Sequence, residues 1–191
     1  SSVVLLSATL PRARRLALLQ AFGAQPPQEE PRYPRLVLAE GAVARSVAVP
    51  WDRSTTYHLH GVPQDEERLA ESVRERLCSG GCAACVVNTV ERAQRLFRAF
   101  GEGQPISLEE VWHVLPGNPQ ERFDHLRNLL VGRRVADLEV FLFHARYPAE
   151  ERQVREELTL ALFGKQGVRP GKAVLVATQV IEQSLDLDFD I

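Results

Sequence analysis

One pattern, repeated four times, limits this chain's fold more than anything else in it. A short apolar run breaks abruptly into small, hydroxylated or amide residues, and in each case a helical periodicity follows. Val3-Val4-Leu5-Leu6 runs into Ser7-Ala8-Thr9, and Ala84-Cys85-Val86-Val87 runs into Asn88-Thr89. Val140-Phe141-Leu142-Phe143 runs into His144-Ala145-Arg146, and Val174-Leu175-Val176-Ala177 into Thr178-Gln179. Consecutive apolar residues leave a strand no polar face, which fits burial on both sides in a parallel sheet covered by helices. Strands alternating with helices give right-handed crossovers and a mainly parallel sheet. Open sheets of this kind bind ligands beyond the carboxyl ends of their strands, so the polar residues at the four run ends define a candidate rim. Each of these residues also has a structural use as a helix N-cap, but four on one rim point to a ligand-binding edge.

At 191 residues, with 45% hydrophobic and 25% charged, the chain is long and apolar enough for one α/β core plus an appendage. Its net charge of −2 means that any nucleic acid must be held by a local track of donors rather than by a globally basic surface. Of the 23 basic residues only Lys165 and Lys172 are lysine. Arginine suits bidentate phosphate contacts, although a GC-rich genome produces the same bias. Cys78, Cys82 and Cys85 are odd in number and clustered, which argues against a disulfide framework. Cys82-x-x-Cys85 lacks a second pair and His58-x-His60 lacks a third ligand, so no metal site is expected. No apolar run is long enough for a signal peptide or a membrane span, and the expectation is a cytosolic protein without membrane contact. The absence of methionine and an opening on a strand suggest a piece of a longer protein.

Residues 11–22 read as a helix with Pro11 in its first turn and Leu16, Leu19 and Phe22 on one face, closed by Gly23. Residues 25–34, rich in proline with Gln28, Glu29 and Glu30, read as a linker. Short strands are expected over 35–38, 44–49 and 56–59 as an antiparallel extension, then an acidic-started helix over 64–77. Asp65-Glu66-Glu67-Arg68 spells a helicase D-E-x-x box. That box must follow a buried strand for its carboxylates to reach the magnesium of a bound nucleotide, and here Pro63 and a helix start surround it. A strand over 83–87 leads into a helix from Glu91 with Ala93, Leu96, Phe97 and Phe100 on one stripe. Within 101–137, residues 108–115 and 120–130 read as helical, and Arg122, Arg127, Arg133 and Arg134 as a solvated face. A strand over 139–143, a helix over 148–163 stopped by Gly164 and Gly167, and the last strand complete the pattern.

Taken in order, these motifs resemble a known set. Ser7-Ala8-Thr9 resembles motif III of superfamily 2 helicases. Cys85-Val86-Val87-Asn88-Thr89-Val90-Glu91-Arg92-Ala93 resembles motif IV in one family of them. Phe143-His144-Ala145-Arg146-Tyr147 with Arg152 is similar to that family's strand-end H-S-R-F and following arginine. The run Val176-Ala177-Thr178-Gln179-Val180-Ile181-Glu182-Gln183-Ser184-Leu185-Asp186, continued to Asp190, resembles its motif V. The family is the CRISPR-associated helicase-nuclease of type I interference systems, and the resemblance runs through the whole chain from motif III to motif V.

The resemblance implies an α/β, RecA-like fold, the C-terminal lobe of a P-loop NTPase helicase. Residues 1–24 would end a first lobe, 25–34 link the two, and 35–191 form a second lobe that stops before motif VI. It also implies an ATP-driven translocase moving 3′ to 5′ on single-stranded DNA, in the prokaryotic cytoplasm, in antiviral defence. Its partners would be an HD nuclease domain, in cis or in trans, and a Cascade-type surveillance complex. By position, Thr178 with Gln179 would contact a DNA phosphate, and Asn88 and Thr89 would lie along the same strand path. His144 and Arg146 join them, with Ala145 where the family more often has serine. Asp186 would contact the nucleotide ribose, with Gln183 and Ser184 in the same ATP-binding set, and Ser7, Ala8 and Thr9 would couple hydrolysis to lobe movement. ATP and Mg2+ would come through the first lobe, and nuclease metal ions would belong to the HD domain.

The chemistry of the residues agrees. Phosphoryl transfer needs an amide cradle, a lysine, magnesium carboxylates and an arginine finger. Neither Gly164-Lys165 nor Gly171-Lys172 has a glycine five positions before its lysine's glycine partner, since Thr159 and Gln166 stand there. By itself the chain is therefore expected to hydrolyse neither ATP nor DNA. Two other readings share the pattern: the second lobe of a different superfamily 2 helicase acting on DNA or RNA, and a RecA-like lobe kept as a non-catalytic binding module.

Overall fold

The computed structural model describes residues 3–5, 10–28, 34–50, 56, 58–181 and 186–191. The chain divides into two compact units, Ser1–Leu59 and His60–Ile191. In the first, helix α1 (Arg12–Ala21) follows Pro11 and ends at Gly23, whose φ of 75° glycine adopts freely. Strands β1 (Arg35–Glu40) and β2 (Val43–Ala48) form an antiparallel hairpin. Gly41, at φ 59°, takes the first position of its two-residue turn, where the right-handed twist of the strands calls for a positive φ. The third strand expected here finds no support among the described residues: Thr56, His58 and Leu59 lie outside any ladder, and Leu59 is 94% exposed. A strand with no neighbour to share its hydrogen bonds has nothing to hold it extended.

The second unit is a five-stranded sheet between two helical layers. Helix α2 (Glu66–Arg76) leads into β3 (Gly81–Val87), and α3 (Val90–Ala99) into β4 (Gln104–Ser107). Short helices α4 (Leu108–Val111) and α5 (Pro119–Phe123) precede β5 (Leu130–Val135) and β6 (Leu138–Phe143). Helix α6 (Ala149–Phe163) then crosses to β7 (Lys172–Thr178). The strand order is β3-β7-β6-β5-β4. β7 pairs in parallel with both β3 and β6, whereas β5 runs against β6 and β4 against β5, so only β5 opposes the others.

Strand β7 shows why the apolar run is unbroken. Ala173 to Ala177 are each fully buried, and they alternate between two cores. Ala173, Leu175 and Ala177 pack with Val154, Leu158, Leu162 and Phe163 of α6, while Val174 and Val176 pack with Val73 of α2 and Leu96 of α3 and with Leu77 and Phe100, which cap those two helices. Each strand residue thus serves one layer or the other, as the two-residue period of a strand demands.

The stretch 101–137 corrects the sequence expectation. In place of long helices over 108–115 and 120–130 it holds two strands and short helical turns. Pro105 is tolerated because β4 is the sheet edge, where a missing N–H breaks no interior ladder. Gly132 sits in β5 because a Cβ there would lie 2.8 Å from both the Phe141 ring and the Val140 carbonyl. Proline, glycine and adjacent arginines gave these strands none of the usual apolar alternation.

The tail folds back along the sheet. The Asp188 N–H bonds the Phe163 carbonyl at 2.8 Å, and the Asp190 N–H bonds the Cys82 carbonyl at 2.8 Å. In return the Asp190 carboxylate accepts the Cys82 N–H at 2.8 Å, and Arg169 grips Asp188 and Asp190 at 2.6 and 2.8 Å. The apolar and acidic alternation of this segment therefore has a structural meaning: Leu187 and Phe189 face the core, while the carboxylates face cations. The three thiols are free, with Cys78 exposed and Cys82 and Cys85 buried. Burial pushes the Cys85 thiol up to about 12.

Because Leu175 is fully buried at the sheet centre, Leu175→Ala should cost about 2–5 kcal/mol of unfolding free energy. Urea denaturation of the two chains measures this, and an unchanged midpoint would contradict the packing described.

Candidate functional site

The carboxyl ends of three parallel strands finish at one level. Val87 of β3 is in register with Thr178 of β7, and Phe143 of β6 with Ala177. The residues immediately beyond, Asn88, Gln179 and His144, are therefore brought to a common rim. Gln179 Nε2 donates to Asn88 Oδ1 at 3.0 Å, joining the ends of β3 and β7, and both side chains are exposed. Each amide keeps further donors and an acceptor for an incoming group. Thr178, the last residue of β7, is 7% exposed and directly precedes Gln179 of this bridge.

Thr89 has the structural use that its type allows. It caps α3, its Oγ1 accepting the Arg92 N–H at 3.2 Å. The Asp65-Glu66-Glu67-Arg68 look-alike also resolves into structure. Asp65 caps α2 by accepting the Arg68 N–H at 3.0 Å, and Glu66 lies 3.4 Å from both Arg92 and Arg95, tying α2 to α3. Neither carboxylate follows a strand.

At the end of β6 the chain turns through His144, Ala145, Arg146 and Tyr147. His144 is 4% exposed and neither ring nitrogen has a hydrogen-bond partner. Its ring lies parallel to Tyr147, with centroids 4.1 Å apart and planes at 6°. The Arg155 guanidinium stands 4.0 Å from the same Tyr147 ring, and sterics place it on the opposite face. Burial holds the imidazole below its ordinary range, and the Arg155 and Arg146 charges push the same way. Arg146 is exposed and makes no ion pair among the described residues.

Asp186 lies beside the end of α6, with its carboxylate 2.8 Å from Lys165 and its carbonyl accepting the Lys165 N–H at 3.3 Å. Ser7, Ala8, Thr9, Gln183 and Ser184 fall outside the described residues. Among the described residues no group of three or more His, Cys, Asp or Glu side chains is placed to hold a metal ion. Also among them, no helix is long and apolar enough to cross a membrane.

Sequence reasoning missed Arg155, which looked like one more charge on a helix. The signal was present: Arg155, Leu158, Thr159 and Leu162 fall three, four and seven apart, on one buried face.

A mostly parallel sheet between helical layers, with polar groups gathered at its strand ends, is the architecture of a RecA-like lobe. The family described as CRISPR-associated nuclease/helicase Cas3, C-terminal, matches residues 117–191. The CRISPR-associated endonuclease/helicase Cas3 of Thermus thermophilus is 46% identical over all of this chain, which spans 22% of that protein. A crystal structure of a CRISPR-associated protein superposes with a TM-score of 0.60 at 35% identity, over 96% of this chain and 18% of that one. The T. fusca Cas3-ATP crystal structure gives a TM-score of 0.53 at 26% identity, over 93% of this chain and 19% of that one. The chain belongs to the CRISPR-associated nuclease/helicase family, as a stretch of its C-terminal helicase lobe. It spans about a fifth of the length of the curated relatives it matches, 22%, 18% and 19% of three of them.

A buried imidazole with a lowered pKa resists protonation in the folded state. Its contribution to stability is whole above the unfolded value, about 6.5, and is lost as pH falls through the lower folded value. His144→Phe keeps the stack on Tyr147 and removes the titration. The wild-type chain should therefore lose more stability than the variant between pH 7 and pH 5 in parallel urea titrations. Identical pH slopes would contradict this assignment.

Proposed function

We propose that this chain is the greater part of the second RecA-like lobe of an ATP-driven translocase that moves 3′ to 5′ on single-stranded DNA in CRISPR interference. In this reading residues 1–24 end a first lobe, 25–34 link the two and 35–191 form the second. The whole protein works with an HD nuclease and is recruited by a Cascade-type surveillance complex, in the prokaryotic cytoplasm. ATP and Mg2+ are held chiefly by the first lobe. The observation that carries the reading is the 3.0 Å bridge between Asn88 and Gln179, which joins the ends of β3 and β7 and sets their amide groups beside Thr178, the last residue of β7. Backbone phosphates need donors at such a ledge and do not require a basic surface overall. The exposed Arg146 guanidinium adds a charge suited to the same phosphates.

The relatives support this at the level of the whole protein, being named as Cas3 endonuclease/helicases, and one T. fusca structure is of Cas3-ATP. Asp186, exposed beside Lys165, is the group assigned to the nucleotide ribose, with Gln183 and Ser184. Ser7, Ala8 and Thr9 are assigned the coupling of hydrolysis to movement.

Two variants of the full-length parent test these assignments. Thr178→Ala should weaken single-strand binding by a similar factor at every salt concentration and leave the slope of log affinity against log salt near the wild-type value, because a neutral hydroxyl contacts a phosphate without releasing a counterion. An affinity that matches the wild type across the whole salt titration would reject the contact. Asp186→Ala should raise the KM for ATP while DNA affinity stays near the wild-type value; a KM that does not move removes Asp186 from the nucleotide site.

A further inference from the structure

Arg155 is buried, 6% exposed, yet it forms no ion pair among the described residues. Its guanidinium serves neutral carbonyls instead. Nη1 donates to Val131 at 3.1 Å and to Leu142 at 3.3 Å, and Nη2 donates to Leu130 at 2.7 Å. Taking a guanidinium out of water is costly, and an apolar side chain of similar volume would fill the same space without that cost. Stability alone therefore gives no reason for arginine here.

Geometry supplies one. The Leu142 carbonyl lies just before the strand-end turn, and the Tyr147 ring, 4.0 Å from the guanidinium, closes that turn. One planar group thus grips the turn at both ends. Tyr147 carries His144 on its other face at 4.1 Å, so the turn's first and last side chains are locked together through the same stack. Arg146, lying between them, is left exposed and without an ion pair among the described residues. The fork also pins the start of β5, through Leu130 and Val131, to the end of β6. Lysine has the charge but not this flat five-donor shape.

We propose that Arg155 is a positioning residue: it fixes the turn 144–147 so that Arg146 meets a phosphate of the strand bound at the rim. This rests on the reading that the rim holds single-stranded DNA. Arg155 touches no DNA itself and acts through Arg146.

The test is a double-mutant cycle in the full-length parent, with binding of a single-stranded oligothymidylate followed by fluorescence anisotropy across a salt titration. Arg146→Ala should lower affinity roughly tenfold and the salt slope by about 0.7. Arg155→Met should give a similar loss, and the double variant should bind no worse than Arg146→Ala alone, because both changes remove one contact. Arg155→Lys should behave as Arg155→Met does. Losses that simply add, or full rescue by lysine, overturn the proposal, the first because Arg155 then acts independently and the second because its charge rather than its fork suffices. Tyr147→Leu, which cuts the same chain of contacts at a less buried point, must show the same non-additivity with Arg146→Ala, and it serves where Arg155→Met does not fold. An Arg146→Ala variant with unchanged affinity also overturns the proposal, while the rim reading stands or falls on the Thr178 titration.

Discussion

The complete removal of residues 173–177 of β7 from water is the constraint on which the other features depend. Residues 173–177 have no exposed surface, so every polar function of that strand is pushed to its end. Burial on both faces demands helices on both sides, which in turn demands crossovers that return each strand in the same direction. Parallel strands in register then finish together. The meeting of Asn88, Thr178 and Gln179 follows from sheet packing before any ligand enters the account.

The same constraint explains what could be read from the letters. Uninterrupted apolar runs mark β3, β6 and β7, which make the parallel half of the sheet; β7 is covered on both faces, whereas β3, at the sheet edge, leaves Val86 44% exposed. The hairpin of β4 and β5 stayed hidden because its residues answer to neighbours distant in sequence. Gly132 yields to the Phe141 ring, and Pro105 sits where an edge permits it. At the rim, residue types were legible but their duties were not. Thr89 and Asp65 are caps, which a helix start alone could have indicated, whereas the Asn88 to Gln179 bridge spans residues far apart in the chain and has no local signature. Arg155 was concealed by its charge, since a guanidinium among leucines is ordinarily taken to face water.

Electrostatics in this lobe are mostly used for fastening. Arg169 clasps the tail through Asp188 and Asp190, Lys165 holds Asp186, and Arg95 binds Glu91 and Glu66. At exposed positions such pairs contribute little to stability and serve chiefly to fix geometry. Arg146, exposed at a strand end and without an ion pair among the described residues, is the kind of group a polyanion selects.

The cysteines give the chain a practical property. Cys85 is sealed in the core with its thiol pushed up to about 12, burial also raises Cys82, and Cys78 is exposed at the turn between α2 and β3. Thiolate is the reactive species, so a maleimide dye meets a single ready target among the three. That target lies at the amino ends of the strands, away from the ledge, and a fluorophore there would report on conformational change without crowding Asn88, Thr178 and Gln179.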